Sequence, residues 1–273
     1  MALKEKVSTA LLSDTGRVRQ NNEDAVGEEP DMGLLVLADG MGGYNAGEIA
    51  SGISVTTVLD VARRQWPTLQ HGQIDAGSGH SVEALMLKAA VEDAHRTIHS
   101  VAQSQPQCAG MGTTIVTCLL HDDRMSIAYV GDSRLYRFRG GKLEQITRDH
   151  SLLEELVARG HYGRDEAKKL VRKNIVTRAL GAEPEVEVDI IEEPIEVGDV
   201  ILLCSDGLTD MVSDEVIGLT LGKYADNLEF AAKELISLAN EGGGKDNVSV
   251  VLAHMNSSLI GGKRWYERLM EWF

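Results

Sequence analysis

The sequence predicts an α+β sandwich, and three observations lead there. Short runs rich in β-branched residues dominate the chain, and each is bounded by turn formers. Longer segments with helical periodicity sit in groups around them. The two kinds of segment do not alternate strictly, as a doubly wound parallel sheet would require.

Taken in order, the first clear strand is "LLVLADG", which runs from Leu34 into Asp39 and then into the glycines of "GMGG". Helical spacing follows at once in "GEIASGISVTTVLDVARRQ". The Gly- and Ser-rich "HGQIDAGSGHS" (71–81) reads as a surface loop within one domain, and Ser81 opens a long amphipathic helix through Gln103. Strands are then expected at Thr113–Leu120, Met125–Val130 and Arg134–Arg139, with "RGGK" as a hairpin turn. Ser151 and Glu154 form a capping box for a short helix that ends at Gly160. Further strands are expected at Val186–Ile191, Asp199–Cys204 and Asn247–His254, with a helix before the last that stops at Gly242.

The 273 residues are 43% hydrophobic and 25% charged, ordinary values for a globular protein. A net charge of −15 argues against nucleic acid as a partner and favours bound cations. Cys108, Cys118 and Cys204 have no paired spacing, so a disulfide framework is not expected. The N-terminus lacks the apolar core of a signal peptide, and no run reaches the ~20 apolar residues of a membrane span. The expectation is a cytoplasmic monomer without a membrane span.

The chemistry sits at strand ends. An apolar run, an Asp and a small residue recur at Asp39, Asp132 and Asp206, and Asp246 opens a strand in "GGGKDNVSVVL". For any single copy a plain Asp-Gly turn is the better reading. Four matched copies are another matter, because antiparallel neighbours bring strand ends and starts to one edge. Converging carboxylates raise one another's pKa unless a cation neutralises them. Oxygen donors without His or Cys select hard cations, Mg²⁺ or Mn²⁺. The glycines after Asp39 let the backbone approach an ion, so that the Gly40 carbonyl becomes a ligand candidate. Upstream, "SDTGRVRQNNEDAV" places Arg19 just before Glu23 and Asp24. Either this is an exposed salt bridge of little worth, or Arg19 forks onto a phosphate beside acids that hold metal-bound water.

The motifs "RVRQNNEDA", "LADGMGGYNAGEIAS", "GMGTTIV", "YVGDSRLYRFR", "LEQITRDHS", "NIVTRALG", "ILLCSDGLTDMVSDEVI" and "GGGKDNVSVVLA" together resemble the bacterial form of the type 2C, metal-dependent serine/threonine protein phosphatases. The resemblance runs from about Ala10 to His254. It implies a four-layer α-β-β-α sandwich of two antiparallel sheets flanked by helices, with residues 1–255 as the catalytic domain. Residues 147–184 would hold the family's variable flap, and residues 256–273 an amphipathic C-terminal tail. It further implies that Asp39 bridges two metal ions, that the Gly40 carbonyl binds one, and that Asp206 and Asp246 complete the other. Glu23 would act through metal-bound water, and Asp132, with Asp206 and Asp210, would hold a third ion. Arg19, Asp39 and Asp206 would be the catalytic residues, with Arg19 also binding substrate. The implied reaction is attack on phosphorus by a water activated between the ions, without a phosphoenzyme. Met41 departs from relatives that carry His there, so the leaving oxygen would take its proton from metal-bound water. The implied partners are phosphorylated proteins and a cognate serine/threonine kinase. The alternative is a metal-binding module that captures phosphoproteins without turnover; the full set of acids and Arg19 argues against such decay.

Other signals have plainer readings. Cys118 and Arg124 match the spacing of cysteine phosphatases, but the bulky and acidic residues between them make Cys118 a buried hydrophobe. "GMGTT" precedes a strand and lacks Lys, so it packs near the cleft and does not cradle phosphate. His150 is read as structural. The basic run around Lys168, Lys169, Arg172 and Lys173 is either a solvated face or a docking surface for acidic substrates. Trp265, Leu269 and Trp272, flanked by Lys263, Arg264 and Arg268, form either a helix folded onto the domain or an anchor.

Overall fold

The "LLVLA" run is apolar without alternation, which a strand tolerates only when both of its faces are covered. The computed structural model, which describes residues 3–43, 46–160, 163, 166 and 175–260, shows both covers. In strand β3 (Leu34–Met41), Leu34 and Val36 pack on helices α2 (Ala46–Gln65) and α3 (Val82–Ser104), whereas Leu35 and Leu37 face a second sheet.

The sheet that holds β3 is antiparallel and ordered β2-β3-β5-β6-β9, with the two-residue β4 (Gly112–Thr113) also paired to β3. Its other strands are β2 (Asp24–Glu29), β5 (Ile115–His121), β6 (Arg124–Val130) and β9 (Asp189–Pro194). The second sheet is ordered β1-β11-β10-β7-β8, from β1 (Val7–Asp14), β7 (Arg134–Arg139), β8 (Lys142–Gln145), β10 (Val200–Cys204) and β11 (Val248–Met255). Helices α6 (Asp214–Tyr224) and α7 (Leu228–Glu241) cover its outer face. Strands β10 and β11 repeat the logic of β3. Leu202 and Val250 point to the helices, and Leu203 and Val251 point between the sheets. Three apolar seams thus separate four layers, α-β-β-α.

Caps fall where the side chains dictate. Ser81 accepts from the Ala84 N–H at the start of α3, and Ser151 accepts from Glu154 N–H at the start of α4 (Leu152–Ala158). The turn at Gly140 and Gly141 closes the β7–β8 hairpin. Cys118 is fully buried in the seam between the sheets, and burial pushes its thiol up, away from reactivity. His150 is buried, stacks on Tyr129 and accepts from the Gly131 N–H at 3.0 Å, a structural role.

One strand needs correction. The run expected at Val186–Ile191 becomes the ladder Asp189–Pro194 against β6. Val186 and Val188 do turn inward, but onto the helix-side seam and without a strand partner. No described helix is long and apolar enough to cross a membrane. The basic cluster at Lys168, Lys169, Arg172 and Lys173 and the tail from Gly261 lie outside the described residues.

Candidate metal centre

Two sheets stacked face to face present their strand ends along one rim, and the acids gather there. Asp39 lies near the end of β3, and Asp132 follows β6 across the same sheet. From the second sheet, Asp206 opens the short helix α5 (Asp206–Thr209) after β10, and Asp246 precedes β11. Burial holds the Asp39 carboxyl well above the ordinary carboxylate range, and the charges of Asp24, Asp206, Asp132 and Asp246 add to the shift. Asp206 is raised for the same reasons, by burial and then by Asp132, Asp210, Asp246 and Asp24. Asp132 is pushed up to about 6, chiefly by burial and then by Asp149. All four strand-end acids therefore share one electrostatic neighbourhood, and Asp210 belongs to its Asp206–Asp132 side.

Glu23 joins from the 15–23 loop. Burial raises its carboxyl above the ordinary range, and its Oε1 is buried without a hydrogen-bond partner. Gly40 sits where the backbone is crowded. A Cβ there would come within 2.2 Å of the Gly47 carbonyl and 2.5 Å of that of Glu23, so no other residue fits. The same strand end is clamped by the "GMGTT" segment. Thr114 N–H and Thr113 Oγ1 donate to the Asp39 carbonyl at 2.9 and 2.8 Å, and Asp39 N–H donates to Thr114 Oγ1 at 3.2 Å. The packing role expected for this segment is the one it plays.

Arg19 lies at the exposed mouth, where its guanidinium donates to Asp246 Oδ2 at 2.7 Å. Its partner is thus Asp246 and not the neighbouring Glu23 and Asp24, because the loop bends toward β11. Asn247 enforces that bend. Its Nδ2 donates to the carbonyls of Thr15 and Asn21, and its Oδ1 accepts from the Glu23 N–H at 2.8 Å.

Two residues matter more here than sequence reasoning indicates. Asp24 pairs in register with Asp39 across β2 and β3, and its Oδ2 accepts from Ser205 of the second sheet at 2.9 Å. Its Oδ1 is buried without a hydrogen-bond partner, and burial lifts the carboxyl to about 6. Asn247 is the other, visible in the sequence only as the residue after Asp246. For both, the signal is adjacency to an acid already singled out.

The donor set fits hard divalent cations. It contains only carboxylates and a strand-end carbonyl, two of its buried oxygens lack partners, and burial together with mutual repulsion raises its carboxyls above their ordinary range. The acids come from both sheets and spread along the rim, as two neighbouring ions require.

Comparison with known proteins agrees with this geometry. Residues 15–232 match the family model described as protein phosphatase 2C. The chain is 37% identical over 252 residues to a serine/threonine phosphatase stp of Listeria monocytogenes, covering 91% of this chain and 96% of that one. The crystal structure of the Mycobacterium tuberculosis serine/threonine phosphatase PstP/Ppp superposes with a TM-score of 0.80 at 37% identity, over 92% of this chain and 99% of that chain. A structure of the PstP catalytic domain in complex with two manganese ions superposes with a TM-score of 0.76 at 38% identity, over 91% of this chain and 97% of that chain.

Proposed function

The chain belongs to the protein phosphatase 2C family, and from that premise we propose that its carboxylate rim hydrolyses phosphoserine and phosphothreonine in proteins with divalent cations bound. The observation that carries this reading is the gathering of Asp39, Asp206 and Asp246 beside Arg19 from both sheets. Asp39, Asp206, Asp246 and the Gly40 carbonyl would hold two ions, with Glu23 acting through solvent in the site. Asp132, with Asp206 and Asp210, would hold a third, more weakly. The ions, when bound, supply Lewis acidity that makes water a nucleophile near neutral pH and offsets charge on the phosphoryl group. Manganese is supported by the manganese-bound relative; magnesium satisfies the same oxygen donors.

The protein's own groups do the rest. The carboxylates fix the charge pattern at the rim, and their pKa values, raised in the absence of cations, return to the carboxylate range when charge is neutralised. Arg19 provides a planar fork for phosphoryl oxygens at the open mouth, where substrate enters. Asn247 and Thr114 hold the Arg19 loop and the Asp39 backbone in place, which keeps the alignment from drifting. On sequence grounds the reading extends to a cytoplasmic monomer that opposes a serine/threonine kinase.

The test is hydrolysis of an aryl phosphate and of a phosphothreonine peptide with Mn²⁺. Turnover of both, lost on chelation and restored by fresh Mn²⁺, is expected. Stoichiometric phosphopeptide binding without release of phosphate would instead establish a capture module.

A further inference from the structure

The opposite end of the six-stranded sheet holds a second cluster. We propose that Glu83, His121 and Asp122 form a separate binding site for a transition-metal ion of the Zn²⁺ type. Among the described residues this is the one group of three His, Cys, Asp or Glu side chains with donor atoms all within 4.8 Å of one another. It does not depend on the phosphatase reading. His121 ends β5 some 20 Å from Ile115, the residue beside the Asp39 clamp, at about 3.3 Å per residue.

Burial makes the cluster more than a surface patch. Glu83 is 0% exposed and His121 8%. Glu83 Oε1 accepts from Gly72 N–H at 2.9 Å and lies 3.3 Å from His71 Nδ1, yet Oε2 is buried with no partner. His121 Nε2 lies 2.8 Å from Ser126 Oγ, whereas Nδ1 is also buried with no partner. A buried carboxylate oxygen and a buried ring nitrogen, both unsatisfied and on residues of one donor group, cost free energy that one shared cation would remove. With Nε2–H donating to Ser126, Nδ1 carries the free lone pair, the arrangement that orients a metal-binding imidazole.

The third donor is positioned by the backbone. Asp122 and Asp123 form the β5–β6 turn with φ of 47° and 54°, which sets Asp122 Oδ2 3.9 Å from His121 Nδ1. Asp tolerates that left-handed conformation better than most residues. Two carboxylates would balance a divalent charge, and imidazole favours zinc, nickel, copper or cobalt over magnesium and calcium. Such an ion would tie the start of α3 to the β5–β6 turn and act as a structural staple.

The experiment uses the full chain with excess Mg²⁺ to fill the oxygen-only rim, titrated with Co²⁺ and followed by visible absorption. One equivalent of Co²⁺ with a ligand-field band that Zn²⁺ abolishes is expected, together with a rise in Tm on Zn²⁺ addition. Asp39→Asn should keep the band. His121→Gln should weaken Co²⁺ binding at least tenfold, and so should Asp122→Asn, which sits on the surface and leaves the core intact. No band in the wild-type chain, or an unchanged affinity in folded Asp122→Asn, would overturn the site.

Discussion

The two ends of the six-stranded sheet gather acidic side chains in different ways. At the rim of β3, carboxylates from both sheets face one another with an arginine at the mouth and no imidazole among them. At the far end of β5, two carboxylates meet neutral imidazole in a tight group. Repulsion explains the contrast. Several like charges keep apart along an open rim until cations arrive, whereas an uncharged nitrogen donor can sit close to an acid at no Coulomb cost. The first arrangement draws its acids from both sheets and opens at Arg19, where a substrate can reach it; the second is compact and suited to holding one ion.

The sharpest way to break this contrast is to remove the cations. A chelator should reduce aryl phosphate hydrolysis to background while far-UV circular dichroism stays unchanged, since three apolar seams hold the layers without help from the rim. Next in size, Asp39→Asn should lower kcat/KM by ~10³-fold or more, about 4 kcal/mol of lost charge stabilisation. Steady-state kinetics with saturating Mn²⁺ would show it, and a loss under tenfold would remove Asp39 from the centre of the site.

Arg19→Ala should cost less, on the order of 10- to 100-fold in kcat/KM, as expected for a charge-assisted contact. Its Tm should barely move, because exposed ion pairs such as Arg19–Asp246 contribute at most ~1 kcal/mol. A large drop in Tm would instead make Arg19 a structural residue.

Asp24 offers a pH-dependent test. Its folded-state pKa of about 6 lies above the ordinary 3.8, so the folded metal-free chain binds its proton more tightly than the unfolded chain does. Stability linked to this group is therefore lost as pH rises from about 4 to about 6 and stays lost above that. Asp24→Asn should raise the Tm of the metal-free protein at pH 7.5 by a few degrees, on the order of 1–2 kcal/mol, and leave it unchanged near pH 3.5. Equal gains at both pH values would exclude the titration as the cause. The smallest effect belongs to the other end, where His121→Gln should change kcat/KM with saturating Mn²⁺ by less than about twofold, since sites this distant act additively. A tenfold loss would couple the two ends.

Much of this molecule is legible along the chain. The doubly covered strands β3, β10 and β11 announce themselves through the apolar runs LLVLA, VILLC and VVLA, and Ser81, Ser151 and Gly242 mark helix ends. The strands at the sheet margins are harder to see. Strand β1 is amphipathic and β2 ("DAVGEE") is acidic, because each has a neighbour on one side only and is partly exposed along much of its length. The four strand-end aspartates are readable as a pattern because each ends or begins an apolar run.

By itself the sequence determined which acids stand at strand boundaries, that these acids form a donor set of oxygens alone, and that apolar layers would bury the strands between them. Only the tertiary structure decided which partners those acids have. Arg19 finds Asp246 across 227 residues of chain, Asp24 reaches Ser205 across the gap between sheets, and Glu83 at the start of α3 joins His121 at the end of β5. The reason is physical. A side chain's preference for strand or helix acts on its neighbours along the backbone, whereas the field around a buried charge sums over everything within a few ångströms, whatever its place in the sequence.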